Sequence, residues 1–258
     1  VDKVPMVAEF ITTRWTYEAI MVKQFKDNEF EKVFYAIEKD ISIADFKQVY
    51  YIPELKEHLQ LALEAMESND EESRKNLGNY LELLRNETKR ELEKVPEVEF
   101  PLVDHFVIDS FSDFVASNAV DYFDKLIDHY ISLYDQANYK KEKIIEYWDN
   151  IQPGFYKEKR SRYHNEAVAD IVEKTFEKNK IVEYKNRLIQ QVDPVFMDPE
   201  PDHLLEFRCH FYAPKKHFIG LYFDTFWFNM VFVWFITFIL YITLYYDLLK
   251  KAINMFGK

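Results

Sequence analysis

One stretch limits what this chain can fold into more than any other: Thr225 to Tyr246, TFWFNMVFVWFITFILYITLYY. About 22 residues pass between Asp224 and Asp247 without a charge, and only Asn229 and three threonines are polar. At a rise of about 1.5 Å per residue this makes a helix of roughly 33 Å, enough to cross the hydrocarbon core of a bilayer. A helix buried in a soluble protein normally keeps a polar stripe, whereas this one is apolar all round. Its flanks carry interface chemistry as well. Tyr222, Phe223, Trp227 and Phe228 stand at one end, and Tyr241, Tyr245 and Tyr246 at the other, with Lys250 and Lys251 just beyond. A transmembrane helix is therefore predicted over 223–246, in preference to a buried core helix.

The mean hydropathy of the whole chain is nevertheless negative, so what precedes the span must be strongly hydrophilic. About 210 residues lie there, enough for an independent core. The formal charge of −12 argues against a nucleic-acid partner, because phosphate binding needs a basic face. Acidic residues are interleaved with lysines in the manner of solvated helix surfaces. With only four glycines and nine prolines, the composition points to helices joined by short connections. The expected fold class is all-α: a helical soluble domain followed by a single C-terminal transmembrane helix. Cys209 is the only cysteine, which excludes an intrachain disulfide, a CxxC pair and a multi-cysteine zinc site, and leaves the compartment open. The chain starts at Val1 without a Met or a signal peptide, which suggests a piece of a longer polypeptide.

Along the chain, residues 5–25 begin irregularly and become helical near Thr13, a candidate cap, with Ala8, Ile11, Trp15, Ala19, Val22 and Phe25 on one face. Asp27-Asn28 breaks this pattern and residues 29–38 resume it. Residues 41–52 read as a short helix or irregular link ended by Pro53. Residues 54–66 and 71–93 form two amphipathic helices around a Ser68-Asn69-Asp70 turn, an antiparallel hairpin. A link with two prolines over 95–109 offers the best internal boundary. Ser110 would cap a helix to about 136, and further helices are expected over 139–151, about 156–178 and 180–192. Pro199 and Pro201 then make an extended linker, with a short strand or extended approach over 204–212.

Motifs for chemistry are missing. Glycines at 78, 154, 220 and 257 cannot build a phosphate cradle, and there is no Gly-x-Ser-x-Gly or His-Glu-x-x-His. His203, Cys209 and His210 come nearest to a metal cluster, but their spacing does not match a structural zinc site. Asp198, Glu200, Asp202 and Glu206 form a carboxylate ladder in which prolines replace the glycine of a calcium loop. Asp121, Asp124, Asp128 and His129 share one side of a helix and suit a solvent face better than acid–base work. Asn229 is the one strongly polar side chain within the span, able to bond to a neighbouring helix or line a pathway. The expectation is a chain without catalytic, cofactor-binding or metal-binding residues.

Two ends of the sequence carry a resemblance. PMVAEFITTRWTYEAIMVKQFKDNEFEK resembles the segment before the last large external region of ABC-2 type permeases, including half-transporters related to the eukaryotic G subfamily, through Arg14, Trp15, Glu18, Ala19 and Asn28. The segment from Tyr212 to Lys251 resembles the final membrane helix of the large fused ATP-binding/permease proteins of Bacteroidota. Its matching residues are Tyr212, Pro214, Gly220, Asp224, Thr225, Phe228, Asn229, Trp234 and the run from Tyr241 to Leu249. Together the two cover roughly 70 of the 258 residues. The resemblance implies a membrane-proximal amphipathic segment over 1–40, a helical extracytoplasmic insertion over 41–206, a linker over 207–222, the transmembrane helix over 223–246 and a cytoplasmic tail over 247–258.

It implies inner-membrane localisation, with the helical domain periplasmic and the C-terminus cytoplasmic. Lysines and arginines on the two sides of the span balance, so charge alone does not orient it. ATP and Mg would be bound in an ATPase domain upstream of this chain, and transport would proceed in paired half-transporters. Further partners would be the upstream transmembrane domains, the membrane itself and a periplasmic protein held by the outer domain. Arg14, Trp15, Glu18 and Asn229 are the site candidates, with an Arg14–Glu18 ion pair one turn apart near the outer membrane face. A second reading is a single-span, tail-anchored helical scaffold acting through protein contacts, and a third is a membrane-bound hydrolase using Asp124 and His129.

Overall fold

Residues 3–68 and 71–248 are described in the computed structural model. The chain divides into two compact units, each built from separate stretches. The first holds residues 3–32, 163–174 and 194–248; the second holds 33–162 and 175–193. Both are mostly helical, and the described strands form two small antiparallel hairpins. Residues 163–174 and 194–206, which the sequence groups with the insertion, pack in the first unit.

In the second unit, α3 (Glu31–Phe46) runs into a π-helical turn, Lys47–Tyr51, and then into α4 (Ile52–Glu67). The sequence suggests a short helix or irregular link here, and the outcome is nearly unbroken helix. Pro53 explains the turn: it has no N–H to give to the preceding turn and its ring crowds the carbonyl there, and a widened turn relieves both. α5 (Glu71–Lys94) returns alongside. Lys47 meets Glu91, Tyr51 meets Glu87 and His58 meets Tyr80, a pairing that makes the hairpin antiparallel as predicted. Asn69 and Asp70 of its turn lie outside the described residues.

The 95–109 link is no boundary. Val95, Phe100 and Phe106 are buried, and Phe100 stacks on Tyr122 with ring centroids 5.1 Å apart. Ser112, rather than Ser110, caps α6 (Asp113–Ile151), accepting from the Val115 amide. This helix continues through 136–139, where two helices were expected: Ala137 is buried, and Asn138 bonds back to the Tyr134 carbonyl instead of breaking the turn. The core is formed by Leu55, Leu59, Leu81, Leu84, Phe123 and Leu126. At about 25 cal/mol per Å² of apolar area, a fully buried side chain of this kind contributes roughly 1.5–3 kcal/mol.

The expected helix over 180–192 is a β-hairpin, β1 (Ile181–Glu183) paired with β2 (Leu188–Gln190). Its turn uses positive φ at Lys185 and Asn186, the backbone of a tight hairpin turn. Leu188 and Val192 join the core, and Asn186 donates to Glu82 at 2.7 Å. The expected helix over 156–178 is also divided, into α7 (Phe155–Tyr163) and α8 (Glu166–Glu173), because Asn165 caps the latter by accepting from Val168.

In the first unit, α1 (Met6–Glu9) leads into α2 (Thr12–Lys26), whose N-cap is Ile11 with no side-chain cap from Thr13. Ile11 is exposed rather than aligned with Trp15. Asn28 accepts from the amides of Phe30 and Glu31 and so starts the next helix. The stretch over 204–212, expected as a strand or extended approach, runs without a strand between turns at 204–205 and 211–212, and the strands lie just after it: β3 (Lys215–Phe218) pairs with β4 (Leu221–Asp224) around positive-φ Ile219 and Gly220. Asp224 then caps α9 (Thr225–Tyr245), accepting from Phe226 at 3.0 Å.

α2 and α9 lie antiparallel: Lys26 meets Asp224, Lys23 lies over the Phe226 ring, Glu18 meets Asn229, and Trp15 meets Phe232. Among the described residues α9 is the one helix long and apolar enough to cross a membrane. A core helix would be buried, yet Trp227, Val231, Trp234, Phe238 and Leu244 are all exposed. Lys250 and Lys251 of the predicted flank lie outside the described residues.

Where the π turn meets α5 and α6 sits a buried polar knot whose integrity can be measured. Lys47 Nζ is 2.5 Å from Glu91 Oε1, and the Tyr130 hydroxyl donates to Glu91 Oε2 at 2.7 Å. Burial alone would raise the Glu91 carboxyl, but Lys47 and Tyr130 more than reverse this and hold it below its ordinary value. Lys47→Met would leave the Glu91 charge buried and unpaired, at a cost of about 3–5 kcal/mol. Adding Glu91→Gln should recover most of that loss in urea denaturation. Equal stability of Lys47→Met and the parent chain would contradict the pairing.

Candidate functional site

Arg14, Trp15, Glu18 and Asn229, named from sequence at opposite ends of the chain, come together in the first unit. α2 supplies the first three and the second turn of α9 the fourth, and the centre of the arrangement is the Glu18 carboxylate, fully buried. Oε1 accepts from Lys216 Nζ at 2.7 Å and from the Tyr212 amide at 3.1 Å. Oε2 accepts from Asn229 Nδ2 at 3.0 Å and faces Arg14 Nη2 at 3.7 Å, the ion pair expected one turn away. Asn229 Nδ2 also donates to the Trp15 carbonyl at 3.0 Å. Arg14 in turn pairs with Glu9 at 2.9 Å and lies over the Trp15 ring, 4.2 Å from its centroid. Thr225, at the start of α9, donates to the Ala213 carbonyl.

Lys216 was not singled out in the sequence. In β3 the burial pattern exposes Lys215 and buries Lys216, and its partner Glu18 is nearly 200 residues away in sequence, so no local signal marks it. Burial opposes the charge on Lys216, and the charge and hydrogen bond of Glu18 act against it, so the ammonium is favoured. Burial pushes the Cys209 thiol up, so the neutral sulfur accepts from Lys216 at 3.2 Å. With two carboxylates, Glu9 and Glu18, against Arg14 and Lys216, the cluster is balanced in charge. Burying four ions is tolerable only with pairing of this completeness. Its chemistry is that of a lock: it ties α2, the β3–β4 hairpin and the base of α9 through groups that cannot be separated without stranding a charge. Asn229 Oδ1 is buried without a hydrogen-bond partner.

The other sequence candidates separate. His203 is exposed, Cys209 is turned to Lys216, and His210 donates through Nε2 to the Pro194 carbonyl at 2.9 Å. No group of three or more metal-ligating side chains occurs among the described residues. Asp202 and Glu206 are drawn to Lys3, at 2.5 and 2.9 Å, and Asp198 lies 4.0 Å from Lys215. Asp121, Asp124 and Asp128 sit on the solvent face of α6, where Asp124 pairs with Lys56 and His129 stands edge-on to Tyr130. No known family, curated protein or solved structure matches the chain.

His210 supplies a pH test of this unit. Burial pushes its pKa down to about 4, with Lys216 adding to the effect against the Pro194 hydrogen bond. The unfolded imidazole titrates near 6.5, so between roughly pH 4 and 6.5 the unfolded chain binds more protons and stability falls as the pH is lowered. For a partly exposed ring the loss should be about 2 kcal/mol across that window. His210→Gln should flatten this part of the profile, measured by chemical denaturation from pH 7 to 4; an unchanged slope would contradict a buried neutral imidazole.

Proposed function

We propose that this chain is the C-terminal membrane-domain portion of an ABC-2 type exporter, in which a periplasmic helical domain precedes the last transmembrane helix. The observation that carries the reading is the meeting of the two family-like ends. α2 lies against the base of α9, and the residues that carry the resemblance (Arg14, Trp15, Glu18, Tyr212, Asp224, Thr225, Asn229) take part in one bonded cluster or cap. A long insertion between two membrane-proximal helices would need such a clasp to keep its entry and exit together. In this reading ATP hydrolysis lies in a domain upstream, α9 spans the inner membrane, and the outer domain gates, guides substrate or holds a periplasmic partner.

The alternative, a single-span anchored scaffold working through protein contacts, draws support from the single long apolar helix among the described residues. The gene upstream of the Val1 codon separates the two: further spans and a Gly-x-x-x-x-Gly-Lys-Ser/Thr loop would support the exporter, and a start codon there would sink it. Topology gives a second test. In a Cys209→Ser background, cysteines placed at exposed Asp104 and Ser132 should react with a membrane-impermeant maleimide in intact spheroplasts. Labelling only after lysis would overturn the periplasmic assignment.

A further inference from the structure

The two small hairpins close on the same kind of turn with opposite chemistry. Each has two central residues at positive φ: Lys185 and Asn186 in one, Ile219 and Gly220 in the other. Such a turn suits Asn, Asp and Gly, and a β-branched residue in it is a strained outlier. Lys185 and Asn186 are polar, as a turn in water requires. Ile219 is poorly suited to its backbone, at φ 51°, and its side chain is 60% exposed, so packing within the unit offsets little of the strain.

The apolar character extends past the turn. From Phe218 to Phe223 no residue is charged, and Leu221, Tyr222 and Phe223 are exposed along β4. Exposed Leu204 lies against Gly220. Charge is confined to the open end of the hairpin, where Lys215 stands opposite Asp224 and Asp224 meets Lys26. Lys216 is withdrawn into its bond with Glu18. The β3–β4 hairpin is thus polar at its base and apolar at its tip, the reverse of a hairpin whose turn faces water.

Contacts with α9 fix the direction of the tip. The Ala213 and Pro214 carbonyls accept from Thr225, at the start of the helix. Further along, the Phe218 ring lies 6.4 Å from that of Phe228. β3 therefore runs beside α9 in the direction of the span, and the turn at 219–220 lies about 5 Å or more along the apolar helix. Trp227 and Val231 of α9 are exposed at that level.

We propose that the β3–β4 tip is a membrane wedge, with Ile219, Leu221 and Leu204 in the hydrocarbon just below the headgroups and Tyr222 and Phe223 at the interface. The occupant is lipid acyl chain, because the tip lies beside α9 residues whose exposed apolar side chains a bilayer must cover. The assignment rests on the reading of α9 as a membrane span. It gives the strained isoleucine a reason: the side chain that suits the turn least suits lipid best.

The test places a nitroxide at Leu221→Cys, Trp234→Cys or Tyr184→Cys of the full chain, in a Cys209→Ser background, reconstituted in liposomes. Relaxation by oxygen, which enters hydrocarbon, is compared with relaxation by a polar nickel chelate, which does not. The oxygen-to-chelate ratio at positions 221 and 234 should exceed that at 184, beside the polar turn, by about tenfold. Ile219→Asn creates the favoured Asn-Gly turn, so the denaturation midpoint of the solubilised chain should not fall, yet the ratio at 221 should drop about threefold. An unchanged ratio at 221 in that variant would overturn the wedge. A ratio at 221 equal to that at 184, with 234 still high, would overturn the wedge and leave the span. Low ratios at both 221 and 234 would overturn span and wedge together. Protection of 221 from both probes would assign the tip to a protein partner and overturn the lipid.

Discussion

The pairing of Glu18 with Lys216 is the interaction on which the first unit of this protein depends. Both side chains are withdrawn from water, and each would be costly to bury alone. Mutual pairing does not make them strongly stabilising compared with an apolar core of the same shape. What it supplies is geometry: the carboxylate has a donor for each direction it can accept, from β3, from the Tyr212 backbone, from α9 and from its own helix. A packed apolar contact between α2 and α9 could slide by a turn at modest cost, whereas this set of bonds admits one register. Residues from the two ends of a long chain are thereby held at the foot of one apolar helix.

The second unit solves a different problem with similar means. Its helices are long and their apolar stripes regular, so hydrophobic burial alone specifies α4, α5 and α6 against one another. The π turn at Lys47–Tyr51 is the local exception, and it places Lys47 over the Tyr51 ring, 3.3 Å from its centroid, where Lys47 reaches Glu91. Glu87 completes the knot by accepting from Tyr51 at 2.6 Å and from the Leu188 amide of the small hairpin at 3.2 Å. The short β element is therefore fastened to α5 by a buried carboxylate rather than by a sheet of its own.

Much of this was legible from sequence, and the exceptions share a cause. The helix of Thr225–Tyr245, the α4–α5 hairpin and the burial of Trp15, Ala19, Val22 and Phe25 follow from period and composition, because each is written within one short window. The hairpins of residues 181–190 and 215–224 escaped because their strands are three or four residues long and neither turn carries an Asn-Gly or Asp-Gly pair. The division of 156–178 hinges on a single cap, Asn165. Arg14, Trp15, Glu18 and Asn229 were picked out by resemblance, but nothing local joined them. Lys216 and the Tyr212 amide reach Glu18 only because the fold closes some 200 positions of chain, and Glu9, five residues before Arg14, carries no local sign of its pairing.

The most direct test of this account is a double-mutant cycle on Glu18→Gln and Lys216→Met in the detergent-solubilised full chain, with unfolding followed by far-UV circular dichroism. Each single change leaves the opposite charge stranded, so the account predicts a coupling energy of about 2–3 kcal/mol, the double variant being far less damaged than the sum of its parts. Additive losses, within about 0.5 kcal/mol, would show that the two ends are not joined through this pair.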